Sequence, residues 1–215
     1  VDADEARIRL LDAAERLFYE RGVQAVGMDE LRTASGVSLK RLYQCFPSKG
    51  DLVEGYLRRR DERWRASLAD YVSQHAARPG ERPLLVFDWL GEWFTEPGYR
   101  GCAFINAYAE LAALSPGAAR AARDHKLALL AYMTDLVGES APADPALLAR
   151  QLVLLADGAV TTAAMTGDAA AARHARTAAE TLLSAARTTA PRADPAPPGR
   201  GHREPAAPPA SGQRT

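Results

Sequence analysis

Residues 35–49 read Ser-Gly-Val-Ser-Leu-Lys-Arg-Leu-Tyr-Gln-Cys-Phe-Pro-Ser-Lys. Gly36 and Ser38 suit a turn followed by a helix start, because glycine reaches positive φ without a Cβ clash and a serine hydroxyl accepts from a first-turn amide. The spacing predicts a short helix over 39–46. At about 100° per residue, Leu42 and Phe46 share one side with Leu39 near them, while Lys40, Arg41 and Gln44 lie opposite. Tyr43 and Cys45 fall on the flanks. A second short segment, 28–35, precedes the glycine, so two short helices meet at a tight turn in a helix-turn-helix pattern.

Upstream, Ile8, Leu11, Ala14, Leu17 and Phe18 recur at helical spacing and predict a first helix that Gly22 ends in the left-handed conformation. Downstream of Pro47, Ser48 and Asp51 have capping-box spacing, and Leu52, Val53, Tyr56 and Leu57 continue a long fourth helix to about residue 75. A loop at 78–83 leads to a fifth helix over 84–94, stopped by Glu96-Pro97-Gly98, and a sixth over 102–114. Ser115-Pro116 and Asp144-Pro145 place a cap before a first-turn proline and start the seventh and eighth helices; Asp168 caps a ninth. Strand periodicity is almost absent, so the expected class is all-α with about nine helices.

The chain has 215 residues, 47% of them apolar, enough for a packed core. Its 27 Lys and Arg balance 27 Asp and Glu, so no bulk field selects a partner and any electrostatic attraction is local. Within 31–60, Arg32, Lys40, Arg41, Lys49, Arg58, Arg59 and Arg60 face only Asp51 and Glu54 in composition. That local excess, with an amide at Gln44, suits phosphate oxygens and the base edges of a major groove; a merely solvated amphipathic helix is the plainer alternative. Backbone amides after Ser38, with those opening the fourth helix beside Lys49, point toward an anion.

Cys45 and Cys102 offer neither metal-ligand spacing nor a disulfide framework, and no cofactor or metal is expected. Cys45 is either an inert flank or, beside Lys40 and Arg41, the thiol of a redox-responsive switch. No nucleophile-base pair at interpretable spacing, paired histidine or glycine-rich phosphate loop appears, so an enzyme using the C-terminal pocket is disfavoured. A signal-type apolar run is lacking at the N-terminus and no stretch approaches a membrane span; a soluble cytoplasmic protein is expected. Residues 189–215 belong to a stretch holding half of all the prolines and no large aliphatic side chain, which predicts a disordered tail.

Residues 10–53 resemble the DNA-binding domain of the TetR (tetracycline repressor) family. The resemblance rests on Ala14, Leu17-Phe18, Arg21-Gly22, Gly36-Val37-Ser38, Leu42-Tyr43, Phe46-Pro47-Ser48-Lys49 and Leu52. Gly101-Cys102, Asn106 and Glu110 are similar to a sixth-helix pattern in part of the same family. The resemblance implies a transcriptional regulator, a homodimeric repressor released from operator DNA by a small-molecule effector. It divides the chain into a helix-turn-helix domain (1–47), an effector-binding and dimerisation domain (48–188) and the tail.

The resemblance further implies contacts to double-stranded operator DNA from Ser38, Lys40, Arg41, Tyr43, Gln44 and Lys49. It implies an effector cavity among Trp93, Phe104, Asn106, Tyr108 and Tyr132, with His125 and Asp157 as further polar candidates or else satisfied interior groups. The alanine-rich eighth and ninth helices would pair with those of a second copy, and no membrane is involved. Three positions depart from the pattern: Gly27 where a capping Ser or Thr is common, Arg32 where alanine is common, and Lys40 where a small residue is common. Arg32 either reaches a phosphate or is solvated.

Overall fold

The computed structural model describes residues 2–75 and 78–188. Among the described residues it is all-helical: α1 Ala3–Arg21, α2 Met28–Ser35, α3 Leu39–Cys45, α4 Lys49–His75, α5 Arg82–Phe94, α6 Ala103–Leu111, α7 Pro116–Gly138, α8 Pro145–Thr166 and α9 Ala170–Thr188, with a single 3-10 turn at Pro79–Glu81. The expectation for residues 189–215 lies outside the described residues.

Local side-chain chemistry sets most helix starts. Ser48 Oγ accepts from the Asp51 amide at 3.2 Å while Asp51 accepts from the Ser48 amide at 2.9 Å, a reciprocal capping pair. Ser115, Asp144 and Asp168 accept from Ala118, Leu147 and Ala170 at 3.3, 2.9 and 2.8 Å. Gly27, lacking a side chain, leaves the start of α2 without such a cap.

Four expectations need correction. Gly22 ends α1 at φ 86°, ψ 154°, outside the left-handed helical region but still in territory that favours glycine; a Cβ there would lie 3.1 Å from Glu110 Oε1. α6 closes at Leu111 because residues 111–114 are used in a turn, the Ser115 amide donating to Leu111 O at 2.8 Å before Ser115 caps α7. Leu39, at the first position of α3, is 48% exposed, since only one turn of so short a helix can lie against the core. α8, at 22 residues, is long and apolar enough by length and composition to cross a membrane, against the expectation that no stretch is; in the fold it packs on α9, α7 and α5.

α1 packs on α2, α3 and α4, and α4 continues onto α5 and α7, so one rod belongs to both halves of the molecule. Between α1 and α4 runs a polar seam. Glu15 accepts from Arg59, Arg60 and Arg63 at 3.0, 3.2 and 3.1 Å, and Arg59 also reaches Asp12 at 2.8 Å. Arg58 pairs with Glu54 at 2.7 Å and with Asp124 on α7 at 3.6 Å. Three cations of the local excess read from residues 31–60 are therefore paired within the fold, Arg59 and Arg60 turned inward and Arg58 at the surface.

Phe46 joins α3 to α4. It is buried, its backbone N–H returns to Leu42 O at 2.8 Å, and the Arg7 guanidinium lies 4.5 Å from its ring centre. Gly55 lets the ring lie against α4, where a Cβ would sit only 3.0 Å from Phe46 Cε1. Phe46→Ala should lower stability by about 3–5 kcal/mol, the usual cost of emptying a buried aromatic site. A denaturant midpoint within error of the unmodified protein would contradict this anchoring role.

Candidate nucleic-acid interface and core cavity

α3 is positioned by what it buries. Leu42 is fully enclosed, while Lys40, Tyr43 and Gln44 are exposed and Arg41 is half-buried. Ser38 caps the helix, accepting from the Arg41 amide at 3.3 Å, and its hydroxyl proton remains free to donate outward. Among the described residues neither Lys40 nor Arg41 enters an ion pair. The outward surface thus offers two uncompensated cations, a phenol 46% exposed and an amide on one short helix. These are donors for phosphate oxygens and for guanine or adenine edges.

The flanking groups are more committed. Arg32 lies 3.6 Å from the exposed Asp29 on the same helix, a surface pair that leaves its guanidinium in contact with solvent. The Cys45 thiol is half-buried and points to Ala3 O at 3.8 Å, a weak contact with the start of α1. Burial pushes the Lys49 ammonium below its ordinary value, and the Glu110 carboxylate of α6 pulls the other way. Of the six expected DNA-contacting residues, Ser38, Lys40, Arg41, Tyr43 and Gln44 share the surface of α3, whereas Lys49 stands toward α6.

Glu110 also fastens the α1–α2 connection. Its carboxylate accepts from the Gln24 amide at 2.9 Å, and its carbonyl accepts from Gln24 Nε2 at 2.8 Å. At the other end of α6, Tyr19 of α1 donates to Gly101 O at 2.9 Å and accepts from the Arg100 amide at 2.9 Å. Burial raises the Tyr19 phenol above its ordinary value, so it stays a neutral donor. α6 is therefore hydrogen-bonded to the DNA-facing end of the molecule at both of its termini, a link that helical periodicity does not reveal.

A cavity of about 20 Å³, near the room needed for one water, lies beneath α6. Trp64, Leu90, Trp93, Phe104, Leu129 and Val160 form its apolar wall, and Cys102, His125, Lys126 and Asp157 its polar side. Of the expected effector residues, Trp93 and Phe104 line it. Tyr108 lies in an adjoining surface groove of about 400 Å³ that shares Phe104 and Lys126 with the cavity. Asn106 is outside, donating to Arg100 O at 3.1 Å, and Tyr132 lines a separate groove beside Arg65 and Leu68. Both are corrections: Asn106 turns back to cap its own loop, and Tyr132 stands two turns beyond His125 on α7, past the end of the cavity.

His125, only 1% exposed, was read from the sequence merely as a possible polar group, and its neighbours Asp61 and Cys102 were not read as part of a site. Its Nδ1 donates to Asp61 Oδ1 at 2.8 Å, and Arg65 holds Asp61 through Nε and Nη2 at 2.9 and 2.7 Å. The imidazole stacks on Phe104 at 3.7 Å and meets Trp64 edge-on at 5.1 Å. Burial opposes charge on His125, but Asp61 and Cys102 outweigh it and raise the imidazole above its ordinary value. For Asp61, burial is likewise opposed by the His125 and Arg65 hydrogen bonds, which bring the carboxyl down to about 2.

The sequence model described as "Bacterial regulatory proteins, tetR family" matches residues 10–56. A solved TetR-type transcriptional regulator from Streptomyces avermitilis is 35% identical, covering 84% of this chain and 97% of that one, with a TM-score of 0.74. The TetR-family regulator SCO4454 from Streptomyces coelicolor is 29% identical over 86% of this chain and 97% of its own, with a TM-score of 0.77. An uncharacterized HTH-type transcriptional regulator of Mycobacterium tuberculosis is 36% identical over 97 residues, 40% of this chain and 48% of that protein. The matched region thus spans about half the length of that curated relative.

The Asp61 ion pair sets a pH dependence. A carboxyl shifted from 3.8 to about 2 contributes about 2 kcal/mol at neutral pH. That contribution is present above the unfolded value and is lost as pH falls from about 4 through the folded value. The raised imidazole behaves oppositely, its contribution fading as pH rises through its folded value. Asp61→Asn should therefore cost about 2 kcal/mol near pH 7, with the two denaturation midpoints converging toward pH 2. Parallel midpoints across that range would contradict the assignment.

Proposed function

The chain belongs to the TetR family of bacterial regulatory proteins, and from that premise we propose that it is a sequence-specific transcriptional regulator, a homodimeric repressor released from operator DNA by a small molecule. The observation that carries this reading is the surface of α3, where Lys40, Arg41, Tyr43 and Gln44 project from a helix anchored by a fully buried Leu42. Lys40 and Gln44 are placed to read base edges, Ser38 and Tyr43 to fix the helix on phosphates, and half-buried Arg41 to do either. Lys49 serves at the margin of the groove, its reach shared with Glu110.

On this reading residues 1–47 bind DNA and residues 48–188 bind the effector and a second copy, with α4 joining them. Two copies pair through α8 and α9, whose exposed Leu147, Leu154 and Met165 would be covered by the partner. Such a dimer sets two α3 helices about 34–36 Å apart, one turn of DNA, on a near-palindromic site. An effector enters from the groove beside Phe104 and Lys126 and opens the closed cavity, which favours another position of α4. It acts through its differential affinity for the two positions.

Selection of bound fragments from genomic DNA with the purified protein tests the reading directly, and enrichment of no common sequence would overturn it. Arg41→Ala should weaken binding to the selected site by about tenfold or more and reduce the salt dependence by about one ion, while Tyr43→Phe weakens it less. Both variants should remain dimeric; unchanged gel shifts in both would remove α3 from the interface. Leu154 is 71% exposed, so Leu154→Arg should leave the fold intact and shift the protein to monomer in sedimentation. A dimer as tight as before would move the interface elsewhere.

A further inference from the structure

The groove between α6 and α7 carries an uncompensated charge. It holds about 400 Å³, within the range that small-molecule sites occupy. Phe104, Ile105 and Ala109 of α6 and Ala122 of α7 form its apolar walls, and Arg123 and Lys126 of α7 supply two cations; no acid among the described residues lines it. The two cations stand one turn apart on the same face of α7, within reach of a single ligand. Arg123 is exposed and, among the described residues, enters neither an ion pair nor a hydrogen bond. The phenol of Tyr108, 54% exposed in the same groove, is likewise without a hydrogen bond among them.

The acids around the groove are engaged elsewhere. Asp124, next to Arg123 in sequence, turns to Arg58 of α4 at 3.6 Å. Asp61 is held by Arg65 and His125 at 2.7 and 2.8 Å, and Glu110 accepts from the Gln24 amide at 2.9 Å. Asp157 of α8 pairs with Lys126 and so cancels one of the two groove cations. One net positive charge therefore stands over an apolar slot, which selects a ligand with a single negative charge at one end and an apolar body. The planar fork of an arginine matches the two oxygens of a carboxylate, and a slot between two helices suits an extended body.

We propose that the groove of Arg123, Lys126 and Tyr108 is a binding site for apolar monocarboxylates, and that these are the effectors of this chain. The carboxylate pairs with the Arg123 guanidinium and accepts from the Tyr108 phenol and the Lys126 ammonium. The body lies along Phe104, Ile105 and Ala109, covering apolar surface that now faces the groove. This deepens the repressor reading by naming the ligand class, and rests on that reading for its consequence on DNA.

Two contacts at the groove lead onward to other helices. Lys126 joins α7 to α8 through Asp157, so a carboxylate on Lys126 competes with that ion pair. The Phe104 ring stacks on His125 at 3.7 Å, and His125 donates to Asp61 of α4 at 2.8 Å. A bound anion that engages Lys126 and covers Phe104 thus acts on the contacts that hold α7 to α8 and to α4, and α4 reaches the DNA-facing end through its packing on α1.

The test titrates octanoate into the purified full chain by calorimetry, with octanol and octylamine as neutral and cationic controls of the same length. Octanoate should bind about tenfold more tightly than octanol, and octylamine more weakly than either. Arg123 is exposed, so Arg123→Gln should fold as the unmodified protein does and bind octanoate about tenfold more weakly, with octanol little changed. No binding of octanoate, equal affinity for octanoate and octanol, a preference for octylamine, or an Arg123→Gln variant that binds octanoate as tightly as before each overturns the carboxylate site. Octanoate should also release the selected DNA in gel shifts at concentrations where octanol does not, and Arg123→Gln should need about tenfold more of it. Octanoate bound through Arg123 with DNA retained overturns the effector role, whereas absence of DNA binding before octanoate is added overturns the repressor reading and leaves calorimetry to decide the carboxylate site.

Discussion

The structure depends on one rod serving two cores. The first turns of α4 bury Leu52, Val53, Tyr56 and Leu57, and its later turns bury Leu68 and Val72. A helix gripped by packing along its length moves as a unit, since a close-packed interior transmits displacement with little give. Between those buried segments lie Arg58 to Arg65, a stretch of ion pairs: Arg59, Arg60 and Arg63 turn to Glu15 of α1, while Arg65 turns to Asp61 and thence to His125 of α7. Polar contacts of this kind are directional, so they fix the rotation of α4 where apolar packing would tolerate several.

Much of the helical layout was legible because its causes are local. The reciprocal pair Ser48 and Asp51 and the caps Ser115, Asp144 and Asp168 act within three residues of sequence, and all accept the amides their spacing predicts. The face of α3 was legible for the same reason, about half a turn of helix separating Leu42 from Lys40 and Gln44. What was not legible depends on side chains far apart in the chain. Arg58, Arg59 and Arg60 counted as an outward excess until α1 and α7 supplied Asp12, Glu15 and Asp124. Lys49 feels the charge of Glu110, far along the chain on α6.

The Asp61–His125 pair illustrates the same limit. Residues 61 and 125 have no interpretable spacing, and by themselves they read as an ordinary surface acid and a core histidine. A helical wheel of α4 does set Asp61 one turn from Leu57 and Arg65. Nothing in that wheel says which helix Asp61 will meet. Only packing of α4 against α7 turns a lone acid into the partner of a buried imidazole.

The small core cavity is bounded by groups that also join α6 and α7 to α4. A preformed pocket would admit a ligand without disturbing its walls, and binding equally to both positions of α4 would shift nothing. At about 20 Å³ this cavity has no room for a drug-sized molecule while His125, Phe104 and Trp64 stand where they do. The hydrogen bonds of Glu110 and Gly101 tie the α6 side to the α1–α2 region, as Asp61 ties α7 to α4. Two sets of contacts beside one cavity therefore meet on the helices that support α3, one reaching α1 from α6 and the other reaching α4 from α7.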